Sequence, residues 1–141
     1  MNDAIYISIK PNPTSKIVEG VKNHEFRNYI PKKKFKFLYV YVTTPISELR
    51  YVIEIGEIVK YPDELKENGE GNLEFNNGEK SKYAYPILKV HELETSIHLK
   101  ELKEKFGFVP PQAFSYDNSF LDLTNYIEKA KKVLIVENEI K

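Results

Sequence analysis

Gly20-Val21-Lys22-Asn23-His24-Glu25-Phe26-Arg27 sets one glycine and a run of ionisable side chains directly ahead of the most apolar strands of the chain. Glycine tolerates the left-handed backbone that ends a helix, so Gly20 closes a short helix over 14–19. An extended segment then begins near Asn23. Alternate residues of a strand share a face, which groups Asn23, Glu25 and Arg27 on one side and His24 and Phe26 on the other, with Lys22 at the corner before them. Glu25 and Arg27 have two readings. In the structural one they form a carboxylate–guanidinium pair within a fixed polar network. In the functional one Lys22 and Arg27 are the cationic wall of a pocket, and Glu25 orients them or takes a proton. The two are compatible, because a pocket needs its charges held still.

The whole chain bounds what can be built around this stretch. Its 141 residues have the length of one domain with a sizeable core, read as spanning 1–141. Cysteine is absent, which excludes disulfides, thiolate metal sites and cysteine nucleophiles and points to an intracellular, cytoplasmic setting. Met1-Asn2-Asp3-Ala4 has no basic flank, and Ser8 and Lys10 interrupt the apolar run behind it, so no signal peptide is expected. No apolar stretch approaches the length of a membrane span, and no membrane association is expected. Lys plus Arg and Asp plus Glu each total 21, for a formal net charge of zero. Proteins that coat DNA without sequence preference are normally basic, so bulk charge argues against that role. The charge is nonetheless segregated, with basic residues crowding the first quarter from Lys10 to Lys36 and acidic ones following from Glu48 to Glu70.

Along the chain, residues 4–9 alternate Ile5, Ile7 and Ile9 with Tyr6 and Ser8 and read as a strand. Pro11 and Pro13 stop it, and Thr14 or Ser15 caps the helix. The second strand ends at Tyr29-Ile30-Pro31. Lys32-Lys33-Lys34 is a solvated, edge-protecting turn or, near Lys22 and Arg27 in sequence, a clamp for phosphates. Residues 35–43 are apolar on both faces, and with a second strand over 49–59 they form the expected spine, bent or bulged at Gly56. Glu54 within that second strand either faces water or joins an interior polar cluster with Lys22 or Arg27. A short helix is expected over 61–67. A flexible loop or small hairpin with an Asn76-Asn77-Gly78 turn is expected over 68–82. Then come a strand over 83–93 and a helix over 94–106, capped by Thr95 or Ser96 and closed by Gly107. The chain is extended around Pro110-Pro111. A final helix runs from Asp122 or Thr124 to Lys132, and 133–136 either pair as a strand or prolong it.

His24, His91 and His98 are too few and too scattered for a metal site, and each reads as structural or surface; no metal and no cofactor is expected. Phosphate-loop, dinucleotide and serine-nucleophile motifs are absent. Ten tyrosines and eight phenylalanines are more aromatic surface than one site needs, so most are core. Tyr29, Tyr41, Phe114 and Tyr116 are the candidate stacking platforms, since single-stranded nucleic acid is held by stacked bases beside cationic side chains.

The order of elements carries a resemblance. A first strand ending in Lys10-Pro11, a short helix, and Gly20, Lys22, Glu25 and Arg27 at the places of a Gly-x-Lys-x-x-Glu-x-Arg signature resemble the ASCH domain (activating signal cointegrator homology) of the PUA-like superfamily. Tyr39-Val40-Tyr41-Val42-Thr43-Thr44-Pro45 and Pro110-Pro111-Gln112-Ala113-Phe114, continuing to Tyr116, resemble two further family segments. The resemblance runs from Ile5 to about Tyr116 and implies an α+β fold, a PUA-like small mixed β-barrel with short flanking helices. It implies first an RNA-binding module. Single-stranded RNA, a nucleotide or a modified nucleoside would sit in a cationic cleft of Lys16, Lys22, Arg27, Lys32 and Lys33, with Tyr41 or Tyr116 against a base. It implies second a nucleoside or RNA hydrolase, amidohydrolase-like or ribonuclease-like, in which Lys22 steadies an oxyanion or takes a proton and Glu25 or Glu54 is the carboxylate. The small amidohydrolases that resemble this family place a threonine close behind the signature lysine, where this chain has Asn23, His24 and Glu25, and their catalytic glutamate has no clear match. A third reading, a protein-interaction domain with a protein partner, is favoured by zero net charge and the lack of a complete catalytic set.

Overall fold

The computed structural model describes residues 3–140. Met1, Asn2 and Lys141 lie outside the described residues, and with them the ends of the 1–141 span and the start of the terminus read as no signal peptide. In chain order the elements are β1 (Ala4–Ile9), α1 (Pro11–Val18), β2 (His24–Arg27), β3 (Phe37–Val42), β4 (Glu48–Ile55), β5 (Val59–Lys60), α2 (Asn72–Asn76), β6 (Tyr83–His98), α3 (Leu99–Phe106), β7 (Ser115–Tyr116), α4 (Leu121–Lys129) and β8 (Lys132–Glu137).

Apolar residues on both faces of β1 demand cover on both, and Ile5, Tyr6 and Ile7 are fully buried. β1 runs parallel to β3, with Ile5 opposite Leu38 and Ile7 opposite Val40, and antiparallel to β7 on its other edge. β3 pairs antiparallel with β4, and β4 with β6. β6 also carries β2 and β5 near its Tyr83 end and β8 at its centre. The result is a mixed sheet strongly curled into a half-barrel with short helices, an α+β fold. One face packs Ile5, Leu38, Val40, Ile53 and Tyr85 against Ile17 of α1. The other packs Tyr6, Tyr39, Tyr41 and Leu49 against Leu102 of α3, Phe108, and Leu123 and Ile127 of α4. A smaller cluster of Leu65, Phe75 and Ala84 sits beside Phe26.

Several local expectations are corrected by long-range contacts. α1 starts at Pro11 rather than Thr14, because proline fits a first helical turn whose N–H groups have no partner. Thr14 and Ser15 are inside it, and Thr14 Oγ1 donates back to Lys10 O at 2.7 Å. Gly20 closes the helix at φ 80, as its sequence position requires. The 49–59 segment breaks at Gly56 into β4 and the two-residue β5, so β6, pairing with four strands, is the spine rather than β3 with β4. No helix forms over 61–67; the Asn76 side chain instead satisfies both Leu65 N–H and Leu65 O, at 2.7 and 2.9 Å. The 68–82 stretch contains α2, whose Phe75 is fully buried. Residues 94–98 continue β6, because Leu49 and Glu48 pair with Ile97 and His98. α3 therefore begins at Leu99, with His98 rather than Thr95 or Ser96 as its cap: His98 Nδ1 accepts from Lys100 N–H at 3.2 Å. Residues 133–136 belong to β8, a strand. Among the described residues no helix is long and apolar enough to cross a membrane.

Candidate functional site

The turn after α1 brings Lys22 to the start of β2, an edge strand whose Glu25 and Arg27 lie opposite Tyr85 and Tyr83 of β6. Glu25 is only 5% exposed, and a buried carboxylate needs cations around it. Arg27 supplies two donors to one oxygen: Nε at 3.0 Å and Nη2 at 2.7 Å from Oε2. Lys22 Nζ stands 3.1 Å from Oε1, an ion pair off the line of a hydrogen bond, since no aligned donor among the described residues reaches that oxygen. Arg27 Nη2 also donates to Ser8 O at 3.1 Å, and Nη1 to Tyr29 Oη at 3.3 Å. Burial by itself would lower the Arg27 pKa; Glu25 and Tyr29 outweigh it and the net shift is upward. The cluster carries one net positive charge, and both oxygens of Glu25 are engaged by cations.

From Arg27 the network continues outward. Tyr29 Oη donates to Ala113 O at 2.7 Å, and Ser8 Oγ to Pro111 O at 2.8 Å, so the Pro110-Pro111 segment folds back over the signature. The Tyr29 ring stacks on Phe114 with centroids 5.4 Å apart, and Phe114 meets Tyr116 edge-on at 5.2 Å. Lys33 Nζ lies 5.0 Å from the Tyr116 centroid, and Lys33 N–H donates to Tyr116 Oη at 3.3 Å. Beyond Lys33 a groove of about 690 Å³ is lined by Lys32, Lys33, Lys34 and Lys36 against the acidic Asp3 and Glu57. Lys22, Arg27, Tyr29, Phe114, Tyr116 and the lysine loop thus form one continuous strip, with the three rings half-buried.

The other candidates are placed elsewhere. Lys16 is paired with Glu70 at 2.8 Å. Tyr41 is 4% exposed, with its ring against Phe108 at 5.8 Å, so it is core and leaves the stacking set. Glu54 lies opposite Phe37 and Lys89, on the sheet face away from Tyr85 and Glu25. It shares no cluster with Lys22 or Arg27, and the trio of Lys22, Glu25 and Glu54 does not converge. The carbonyls of Ser8, Pro111 and Ala113 escaped sequence reading, because a backbone acceptor leaves no side-chain signature. The extended Pro-Pro segment was the one available sign of them.

A mixed half-barrel sheet with short helices holds a glutamate between a lysine and an arginine behind the first helix, with a late proline segment closing over them, and the chain has the fold of the ASCH domain. That fold is shared with the crystal structure of ASCH from Zymomonas mobilis, with a TM-score of 0.66 and 22% identity over 93% of this chain and 98% of that one. A serine-to-alanine mutant of the same Zymomonas mobilis protein matches with the same score and identity over 93% and 100% of the two chains. A tyrosine-to-phenylalanine mutant matches at 0.66 with 20% identity over 92% and 99%. No protein-family model and no curated protein matches the sequence.

Proposed function

We propose that the protein binds single-stranded RNA, or a nucleotide of it, along the strip from Lys22 to the lysine loop. The observation that carries this reading is the continuity of that strip: half-buried rings of Tyr29, Phe114 and Tyr116 connect a net-positive ion cluster at one end to a four-lysine groove at the other. Bases stack on rings without regard to sequence, and lysines meet the phosphates as point charges. Tyr116 takes a base, Lys32 and Lys33 hold the backbone, and Arg27 acts mainly by fixing Tyr29 and, through it, the stack. The hydrolase reading has less support, since Glu25 is neutralised on both oxygens and Glu54 faces the other side of the sheet.

Fluorescence anisotropy with a short labelled oligouridine tests this. Saturable binding is expected, weakening as salt rises. Tyr116→Ala should weaken it about tenfold, from the loss of one stacked base, and Lys33→Ala by a smaller factor with a shallower salt slope. Absence of saturable binding, or full binding by Tyr116→Ala, contradicts the reading.

A further inference from the structure

On the opposite face of β2 the ring of His24 is fully buried and lines a cleft of about 470 Å³. Its neighbours fix its tautomer. Asn23 Nδ2 donates to Asn68 O at 2.9 Å, which makes Asn23 Oδ1 the acceptor end of that amide. Asn23 Oδ1 accepts from Asn72 Nδ2 at 2.9 Å and lies 2.7 Å from His24 Nδ1. An amide oxygen has no proton to give, so Nδ1 carries the ring proton and Nε2 is a bare acceptor. Nε2 is buried, and among the described residues no group donates to it. Burial, opposed by Glu67, brings the His24 pKa down to about 4, so the ring stays neutral near pH 7.

This acceptor is held in place by the 67–72 segment. A Cβ on Gly69 would fall 2.5 Å from Asn23 Oδ1, so only glycine lets the backbone approach that closely. Glu70 N–H donates to Val21 O at 3.0 Å, and Asn72 Nδ2 also donates to Glu67 O at 3.0 Å. Around His24 the described residues lining the cleft include the carboxylates of Glu57, Asp63 and Glu64 and the cation Lys66, with apolar wall from Leu65 and Leu88. A neutral acceptor among carboxylates repels anions and selects a positively charged donor. The open Nε2 acceptor beside the apolar wall of Leu65 and Leu88 matches an organic cation that carries N–H donors.

We infer that this cleft is a second ligand site, for a small organic cation with N–H donors such as an alkylguanidinium or alkylammonium. An N–H of the ligand donates to His24 Nε2, its alkyl chain lies along Leu65 and Leu88, and the carboxylates balance its charge. The site uses the other face of β2 and the opposite sign of charge, and it adjoins the lysine groove at Glu57.

Calorimetric titration of the full chain with agmatine at low salt, read alongside the 15N signal of His24 Nε2, tests the inference. Saturable binding with one site is expected, with the Nε2 signal moving on saturation. The double variant Asp63→Asn, Glu64→Gln changes only exposed side chains and should fold normally while binding agmatine roughly fivefold more weakly. Three results overturn the site: no saturation, saturation that leaves Nε2 unmoved, or equal affinity in the double variant.

Discussion

On one face of β2, Glu25 is closed in by Lys22 and Arg27 until both of its oxygens are engaged; on the other face, at the preceding residue, His24 ends in a nitrogen that no group among the described residues meets. Strand alternation makes this possible, because neighbours in sequence point to opposite sides of a sheet. The difference separates two kinds of polar residue. A carboxylate held by two cations is spent on structure and positions what surrounds it. A buried acceptor without a donor costs stability and persists where something else can meet it. The two faces of one four-residue strand therefore look onto a positive, ring-lined surface and an acidic cleft.

The contrast is open to being broken from either side. Arg27→Ala removes both hydrogen bonds to Glu25 Oε2 and leaves a buried carboxylate with Lys22 alone, so a loss of about 3–5 kcal/mol in urea unfolding is expected. A loss below about 1 kcal/mol would mean that the ion cluster is solvated and free for other work.

His24 gives a pH test with a definite sign. Its folded pKa of about 4 lies below the ordinary 6.5, so between those values the unfolded chain binds more protons. Its contribution is complete above pH 6.5 and is lost as pH falls toward 4, by up to roughly 3 kcal/mol. Unfolding free energies of the wild type and His24→Gln across that range should diverge by this slope; parallel curves would mean that burial does not hold the ring neutral.

Gly69→Ala forces a methyl group onto the Asn23 amide and should cost about 2 kcal/mol while disturbing the His24 signals more than those of Tyr116. The smallest effect is expected from the double variant of Asp63 and Glu64, within about 0.5 kcal/mol of wild-type stability, because both side chains are exposed.

What could be read from the sequence follows the range of the interactions. The two faces of β2, the strand β1 and the closing glycines at 20 and 107 rest on alternation and backbone preference, which are local, and all are present. The 61–67 helix failed because Leu65 takes its hydrogen bonds from Asn76, eleven residues away. The strand at 94–98 has no local signal, because its partner is the start of β4. Tyr41 and Tyr116 look alike in sequence, and only packing against Phe108 puts the first in the core and leaves the second half-exposed. His24 read as a structural residue; its role as an open acceptor depends on Asn72, which reaches Asn23 from 49 positions along the chain.

An amide and side-chain NMR titration of the labelled protein with oligouridine examines the division at β2 most directly. Resonances of Lys33, Phe114, Tyr116 and Tyr29 should move together to saturation, while His24 Nε2 and Leu65 stay still. Shifts centred on His24 and Leu65, or spread equally over both faces, would contradict it.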